Sequence, residues 1–316
     1  MAATAVVLPA ALAACGTAPK SAAVHGTANV AYAGSLQDVN DLSIGPAFQR
    51  STGNKYEGQG GGSFGVAHEI ASKTIAPNLF ESVGYAPIQV LEPKFTTWAI
   101  SFAASPLVVA YDPKSPFAPQ LNAIRSGQKP LKDLFSLMAN PRFHLGRTNP
   151  NTDPQGQAFY MMVELAQKQY HLPSSLPSQV LGSLENPHQV YSETGILSLL
   201  QSGGLDASSA FLSEAIQRHL DYIKLPSSLN FANPADNATY ATASVKLSNG
   251  TVVHGAALTV DITTIGTPAP AAVSFIRYLL GRHGESLMKK AGYDVFSPLP
   301  LGRRSAVPSR LTGLLK

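Results

Sequence analysis

Two short turns constrain this chain more than anything else in it. Each follows an extended run and opens a helix. The first is Ala33-Gly34-Ser35-Leu36, after the apolar run Ala28 to Tyr32. The second is Gly60-Gly61-Gly62-Ser63-Phe64-Gly65, after the extended stretch Lys55 to Gln59. A strand that passes through Gly-Ser directly into a helix leaves free backbone N–H groups and a hydroxyl at the positive end of that helix. This arrangement suits an anion, and it occurs twice before residue 66.

The same alternation continues along the chain. Strand-like runs are Ala28–Ala33, Ser101–Phe102, Leu107–Tyr111, His144–Arg147, Tyr240–Leu247 and Ala257–Ile265. Helix-like runs are Val39–Thr52, Gly65–Ser72, Leu131–Ala139, Gln155–Tyr170, Thr194–Gln201, Ala269–Leu280 and Gly284–Ala291. Asp153 followed by Pro154 reads as a helix cap and first helical position. Asn249-Gly250 between Ser244 and Val253 reads as the turn of a hairpin. Strands alternating with helices predict an α/β architecture with mostly parallel sheets. No internal repeat interrupts the pattern.

The chain has 316 residues, enough for two domains with cores of their own. Apolar residues make up 44% and charged residues 13%, which excludes a disordered chain. The net charge is +4, with basic residues scattered apart from Arg303-Arg304 and Lys289-Lys290. No basic stripe with interleaved aromatics is present, so nucleic acid is not an expected partner. The single cysteine, Cys15, excludes an internal disulfide.

Met1 to Ala14 is small and apolar and ends Leu12-Ala13-Ala14-Cys15. This resembles a bacterial lipobox, in which the cysteine is lipidated and becomes the mature N-terminus. Residues 16–26 then read as a flexible tether rich in Ser, Ala, Gly and Pro. No Lys or Arg precedes Lys20, so the basic region expected at the front is missing. The plainer alternative is an ordinary signal peptide with a stray cysteine; the lipoprotein is preferred. No later stretch reaches the ~20 apolar residues of a membrane span.

Taken in order, several further pieces carry a family resemblance. They include Ala33-Gly34-Ser35-Leu36, Gly61-Gly62-Ser63, Trp98 to Ala103, Leu107 to Tyr111 and Gly146 to Gly156. They continue with Tyr222 to Pro226, Asn249 to Gly255 and Ala272 to Leu280. In this order and spacing the chain resembles the periplasmic substrate-binding proteins of ABC importers, in the molybdate/tungstate-binding branch. The resemblance implies a type II periplasmic-binding-protein fold: two α/β lobes with mixed sheets flanked by helices, joined by two crossing strands. The crossings would fall near Ala104–Val109 and Gly255–Thr263. The first lobe would be 26–106 plus 255–316 and the second 107–254, with 1–25 as signal and tether.

Carried over by position, the resemblance implies that Ser35 and Ser63 hold oxyanion oxygens from the first lobe and that Asp153 contributes from the second. An aspartate at that place can approach the metal centre of the oxyanion. The family's second carboxylate, a glutamate, falls on Ala210, so Ser208 or Ser209 is expected to donate instead, and Glu214 serves only if the register shifts. Neutral donors in fixed directions suit a buried tetrahedral dianion, which must keep the hydrogen bonds it loses from water. Asp153 would repel an oxyanion directly. It therefore binds the metal centre, is protonated, or points away and caps its helix. The function implied is binding rather than catalysis, with no cofactor. The protein would be monomeric, exported and anchored to the outer face of the cytoplasmic membrane through Cys15. Its partners would be molybdate or tungstate, with sulfate or a related anion as fallback, and the subunits of a permease.

Two rival motifs share the second turn. Gly61-Gly62-Ser63-Phe64-Gly65 fits the G-x-S-x-G nucleophile elbow of an exported serine hydrolase, with Asp153 or Asp206 and His254 or His283 in the required order. The stretch before it, Lys55 to Gln59, is polar, whereas an elbow follows a buried strand. Gly60-x-Gly62-x-x-Gly65, with Glu81 downstream, fits a dinucleotide fingerprint and is weak alone. For Trp98 a core position is preferred over the cleft.

Overall fold

The computed structural model describes residues 1–2 and 25–315. Cys15, with the lipobox around it, lies outside the described residues. In chain order the strands are β1 (Thr27–Ala33), β2 (Lys55–Gly61), β3 (Leu79–Val83), β4 (Trp98–Ala104), β5 (Leu107–Tyr111), β6 (Leu145–Thr148), β7 (Val190–Tyr191), β8 (Ala207–Phe211), β9 (Asp221–Lys224), β10 (Ser244–Lys246), β11 (Val252–His254), β12 (Thr259–Thr264) and β13 (Asp294–Gly302). They form two mixed sheets and a hairpin: β13-β4-β12-β3-β1-β2, β7-β6-β8-β5-β9, and β10-β11. Each large sheet is the centre of one lobe. The chain passes from the first to the second through Ser105-Pro106, and returns through residues 255–258.

Position in the sheet explains the local sequence. β1 lies between β2 and β3, parallel to both, and Val30 to Ala33 are all buried. A central parallel strand covered on both faces reads as a continuous apolar run. β2 is the edge, which is why Lys55, Glu57 and Gln59 are tolerated there. β13 forms the other edge, and the sequence pattern missed it. Its Pro298 and Pro300 read as breakers, but the register against β4 shifts between Val295 and Leu299, which absorbs the irregularity at an edge.

Two expectations are corrected: the sheets are mixed rather than mostly parallel, with β4, β12 and β13 and β5, β8 and β9 paired antiparallel. Tyr240–Leu247 is not a single strand: Asn237–Tyr240 is a helical turn and only Ser244–Lys246 enters β10. Tyr240 is held by tertiary contacts instead. Its ring stacks on Phe231 with centroids 4.5 Å apart, and its hydroxyl donates to the Ser227 carbonyl. The hairpin itself pairs Ser244 with His254 and turns at Gly250, whose φ of 86° suits glycine.

Helices flank both sheets. The chain leaving β1 coils without a break from Gly34 to Thr52. It begins with a tight turn at Gly34–Leu36, widens at Asn40–Ile44 and stops at Gly53 in the left-handed conformation. Ser63–Ala71 follows β2. In the second lobe, Pro154–Gln169 follows β6, Glu193–Gln201 follows β7 and Leu212–Gln217 follows β8. Trp98 is buried in the core.

Phe48 sets the packing of the long N-terminal coil. It is fully buried and meets Phe275 edge-to-face at 5.2 Å and Tyr278 at 5.9 Å. Phe48→Ala would remove these contacts and leave a cavity between two helices, costing about 3–5 kcal/mol. Urea unfolding should show this as a lower midpoint.

Candidate functional site

The strand ends β1, β3, β6 and β8 converge between the two sheets, as ligand sites in α/β folds commonly require. A small cavity lies there, lined by Ser35, Val83, Ser105, Phe211, Ser213, Leu258, Val260 and Tyr293, with a volume of about 10 Å³. That is room for about one water. Ser35 comes from the first lobe and Ser213 from the second. Both hydroxyls are buried and neither makes a hydrogen bond of good geometry, although Ser35 lies close to the Glu193 carboxyl and Ser213 close to the Tyr293 hydroxyl. Tyr293 donates to the Ser35 carbonyl at 3.0 Å and fixes the turn. Ser105, on the crossing, accepts the Ser213 N–H at 2.9 Å and fixes the second lobe's contribution.

Ser63 is buried at the first position of its helix, and its Oγ accepts the Val83 N–H at 3.2 Å. The next N–H groups do not face solvent. Phe64 and Gly65 both donate to the Thr152 carbonyl of the second lobe, at 3.0 and 3.2 Å. Gly62 permits this approach, since a Cβ there would sit 2.7 Å from the Thr152 oxygen. The first turn is met in the same way: the Gly34 N–H donates to Glu193 Oε2 at 2.7 Å. A third interlobe link is the ion pair Arg218–Asp38 at 2.7 Å.

Three carboxyls of the second lobe are buried near this junction. Asp153 caps its helix, with Oδ1 accepting the Gln155 N–H at 2.8 Å, while Oδ2 is buried without a partner. Burial pushes its carboxyl up to about 6. Glu214 accepts from the Phe211 N–H at 2.7 Å and from Gln155 Nε2 at 3.0 Å, and burial pushes it to about 7. Glu193 Oε1 is buried without a partner. Burial holds its carboxyl well above the usual range, and the charges of Asp153 and Glu214 add to this. The nearby Ser35 groups ease the rise. Among the described residues, no group of three His, Cys, Asp or Glu is placed to hold a metal ion.

The sequence-based candidates separate on this geometry. Ser35 lines the cavity, Ser63 stands at the neighbouring helix start, and Asp153 adjoins Thr152. Ser208 and Ser209 lie in β8 and do not line the cavity. The Ser209 hydroxyl donates to Gln155 Oε1 at 2.8 Å, and Ser208 Oγ is buried without a partner. Glu214 lies past β8, and its carboxyl accepts the Phe211 N–H at the start of the next helix. Sequence reasoning missed Glu193, Ser105, Ser213 and Tyr293. Only Ser192-Glu193, a capping serine followed by an acid, offered a signal, and it reads as an ordinary helix start.

Ser63 meets none of the needs of a nucleophile. Among the described residues no histidine hydrogen-bonds to it, and the hydrolase reading finds no support. Glu81 is fully buried beneath Asn40, whose Nδ2 donates to it at 2.7 Å, so it is not available to a ribose. A larger cavity of about 890 Å³ adjoins through Val83 and Leu258. Its walls, among them Phe64, Pro87, Met161, Phe231 and Phe296, are mainly apolar. Its polar lining residues include Tyr85, Ser101, Thr259 and Ser297.

Buried carboxyls with raised values make the fold sensitive to pH. Glu81 and Asp261 are likewise pushed to about 7 by burial. All five bind protons more tightly in the native chain than in the unfolded one, so native protein holds more protons between about pH 4 and 7. Their contribution is complete below about pH 4 and is lost as pH rises through 6 and 7. The urea midpoint should therefore be lower at pH 8 than at pH 5; the reverse order would mean that these carboxyls are ionised at no cost.

The family model described as bacterial extracellular solute-binding protein matches residues 28–294. A putative ABC transporter molybdenum-binding protein of Haloferax volcanii is 28% identical over 274 residues, covering 87% of this chain and 83% of the relative. The molybdate/tungstate-binding protein WtpA of Pyrococcus abyssi is 25% identical over 250 residues, covering 72% and 70%. Among solved structures, the periplasmic molybdate-binding protein of Azotobacter vinelandii superposes with a TM-score of 0.57 at 16% identity, covering 85% of this chain and 98% of that one. The two lobes with mixed sheets are thus the type II periplasmic-binding-protein fold, and the chain belongs to the bacterial extracellular solute-binding protein family.

Proposed function

We propose that this protein is the solute-binding component of an ABC importer and captures a tetrahedral oxyanion, molybdate or tungstate first, between its lobes. The observation that carries this reading is the pair of buried hydroxyls, Ser35 and Ser213, brought to one cavity wall from opposite lobes. Two relatives spanning most of the chain bind molybdenum or molybdate/tungstate by name, which supports the same ligand class. Hydroxyls buried at such a site find partners in an oxyanion's oxygens. Ser63 and the Asp153 carboxyl border the same site.

The cavity as it stands holds about one water, so a four-oxygen anion enters only when the lobes part. The lobes, 26–106 with 255–316 and 107–254, turn about Ser105-Pro106 and residues 255–258. A ligand that touches both favours the closed form by its differential affinity, and that form docks on the permease. The chain is held at the outer face of the cytoplasmic membrane by lipid on Cys15 and acts as a monomer. Among the described residues no helix is long and apolar enough to cross a membrane.

Calorimetric titration of the anion-stripped protein with molybdate, tungstate, sulfate and phosphate tests the ligand. Tight binding of the first two is expected, and silence for all four would remove the oxyanion reading. Ser35→Ala should weaken molybdate by about 1–3 kcal/mol, one donor lost to a buried charge. Ser63→Ala is the poorer test, since it also strips an acceptor from the Val83 N–H. For the anchor, Cys15→Ser should abolish labelling by an alkynyl fatty acid in cells; labelling that persists would place the lipid elsewhere or nowhere.

A further inference from the structure

Beside the small cavity of the oxyanion reading, on which the following rests, stands the larger one of about 890 Å³. The two share walls. Val83 and Leu258 line both. Phe64, which lines the large cavity, follows Ser63 in the chain, and Pro154, which also lines it, follows Asp153. The large cavity also lies between the lobes. The end of β3 and the turn after it supply Val83, Tyr85 and Pro87, while the helix after β6 supplies Pro154, Ala158 and Met161.

Chemistry separates the two spaces. The small one gathers the hydroxyls of Ser35, Ser105 and Ser213. In the large one, several polar side chains are already committed to internal partners. Tyr85 donates to Glu92 Oε1 at 2.5 Å, Thr259 to Asp261 Oδ1 at 2.9 Å, and Gln157 Nε2 to the Pro150 carbonyl at 2.9 Å. No Lys or Arg is among the described residues that line it. A second bare anion would find no counter-charge there and would lose water along walls of Phe64, Met161, Phe231 and Phe296. An organic group fits instead. A volume of this size with mainly apolar walls and a few polar groups is the usual character of a small-molecule pocket. Leu299 of β13 lines it and is 49% exposed, an apolar surface that a ligand would cover.

We propose that the cleft takes an organic oxyanion, a tetrahedral phosphonate- or sulfonate-type head on an apolar body, with the head at the Ser35 and Ser213 hydroxyls and the body in the large cavity. Hydroxyl donors orient the head. The body adds affinity in proportion to the apolar area it takes out of water. Inorganic anions use the head site alone.

Calorimetric titration of the anion-stripped protein compares molybdate, inorganic phosphate, phenylphosphonate and the neutral methyl phenyl sulfone. Phenylphosphonate carries a ring in place of one oxygen of phosphate, so the comparison isolates the body. The expected result is about tenfold tighter binding of phenylphosphonate than of phosphate, with the sulfone far weaker than phenylphosphonate. Ala86 and Ala232 line the cavity from opposite lobes, the first exposed and the second half-buried. Ala86→Trp and Ala232→Trp therefore fill it without entering the core. Both should erase the advantage of phenylphosphonate and leave molybdate as in the parent. Phenylphosphonate no tighter than phosphate, while molybdate binds, overturns the proposal and leaves the oxyanion reading standing. A sulfone as tight as phenylphosphonate also defeats it, because the cavity is then a site separate from the head. So does an advantage that survives both tryptophans, which puts the ring elsewhere. If no inorganic anion binds, the reading of a bare oxyanion fails, and phenylphosphonate decides alone: binding that the tryptophans remove supports the organic ligand, and silence ends it.

Discussion

Backbone donors at the ends of the first-lobe strands must find acceptors when the lobes meet, and the rest of the cleft follows from that requirement. Buried N–H groups are almost never left unpaired. Here the acceptors come from the other lobe: Glu193 for Gly34, and the Thr152 carbonyl for Phe64 and Gly65. Gly34 and Gly62 are needed because any side chain there would hold the acceptors away. The converging strand ends bring the donors to one place, and the crossing at Ser105-Pro106 pins the start of the helix after β8 through the Leu212 and Ser213 N–H groups. The glycine-rich turns are thus as much a lobe–lobe interface as a ligand site.

Much of this was legible in sequence, for a physical reason. Strand, glycine turn and helix start are local signals, and Ser35, Ser63 and the Asp153 cap stand where those signals put them. The Asn249-Gly250 hairpin was equally local. What could not be read depends on distant partners. β13 carries two prolines and is a strand only because β4 offers an edge and a bulge. The pairing of Gly34 with Glu193 spans 159 residues and leaves no pattern in either segment.

The serines after Asp206 show how strand phase decides a site. Side chains alternate across a sheet, so neighbours in β8 point to opposite faces. Ala207 and Phe211 join the main core, and Ser209 reaches Gln155 of the helix after β6. Ala210 instead joins Val108, Ala110, Ile196 and Leu197 beneath the helix that begins at Glu193. A carboxylate at position 210 would face that apolar cluster. The hydroxyl that lines the cavity is Ser213, past the end of the strand, where the alternation no longer holds.

The second lobe has placed its buried carboxyls at helix starts rather than on strands. Asp153 is an N-cap, Glu193 a first residue, and Glu214 sits in the first turn with its carboxylate on the Phe211 N–H. Each is favoured there by the partial positive charge of the helix end. The two first-lobe helix starts facing them, at Gly34 and Ser63, carry no acidic residue in their first turns. At the two glycine turns the first lobe offers donors and the second offers acceptors, while the Arg218–Asp38 pair runs the other way.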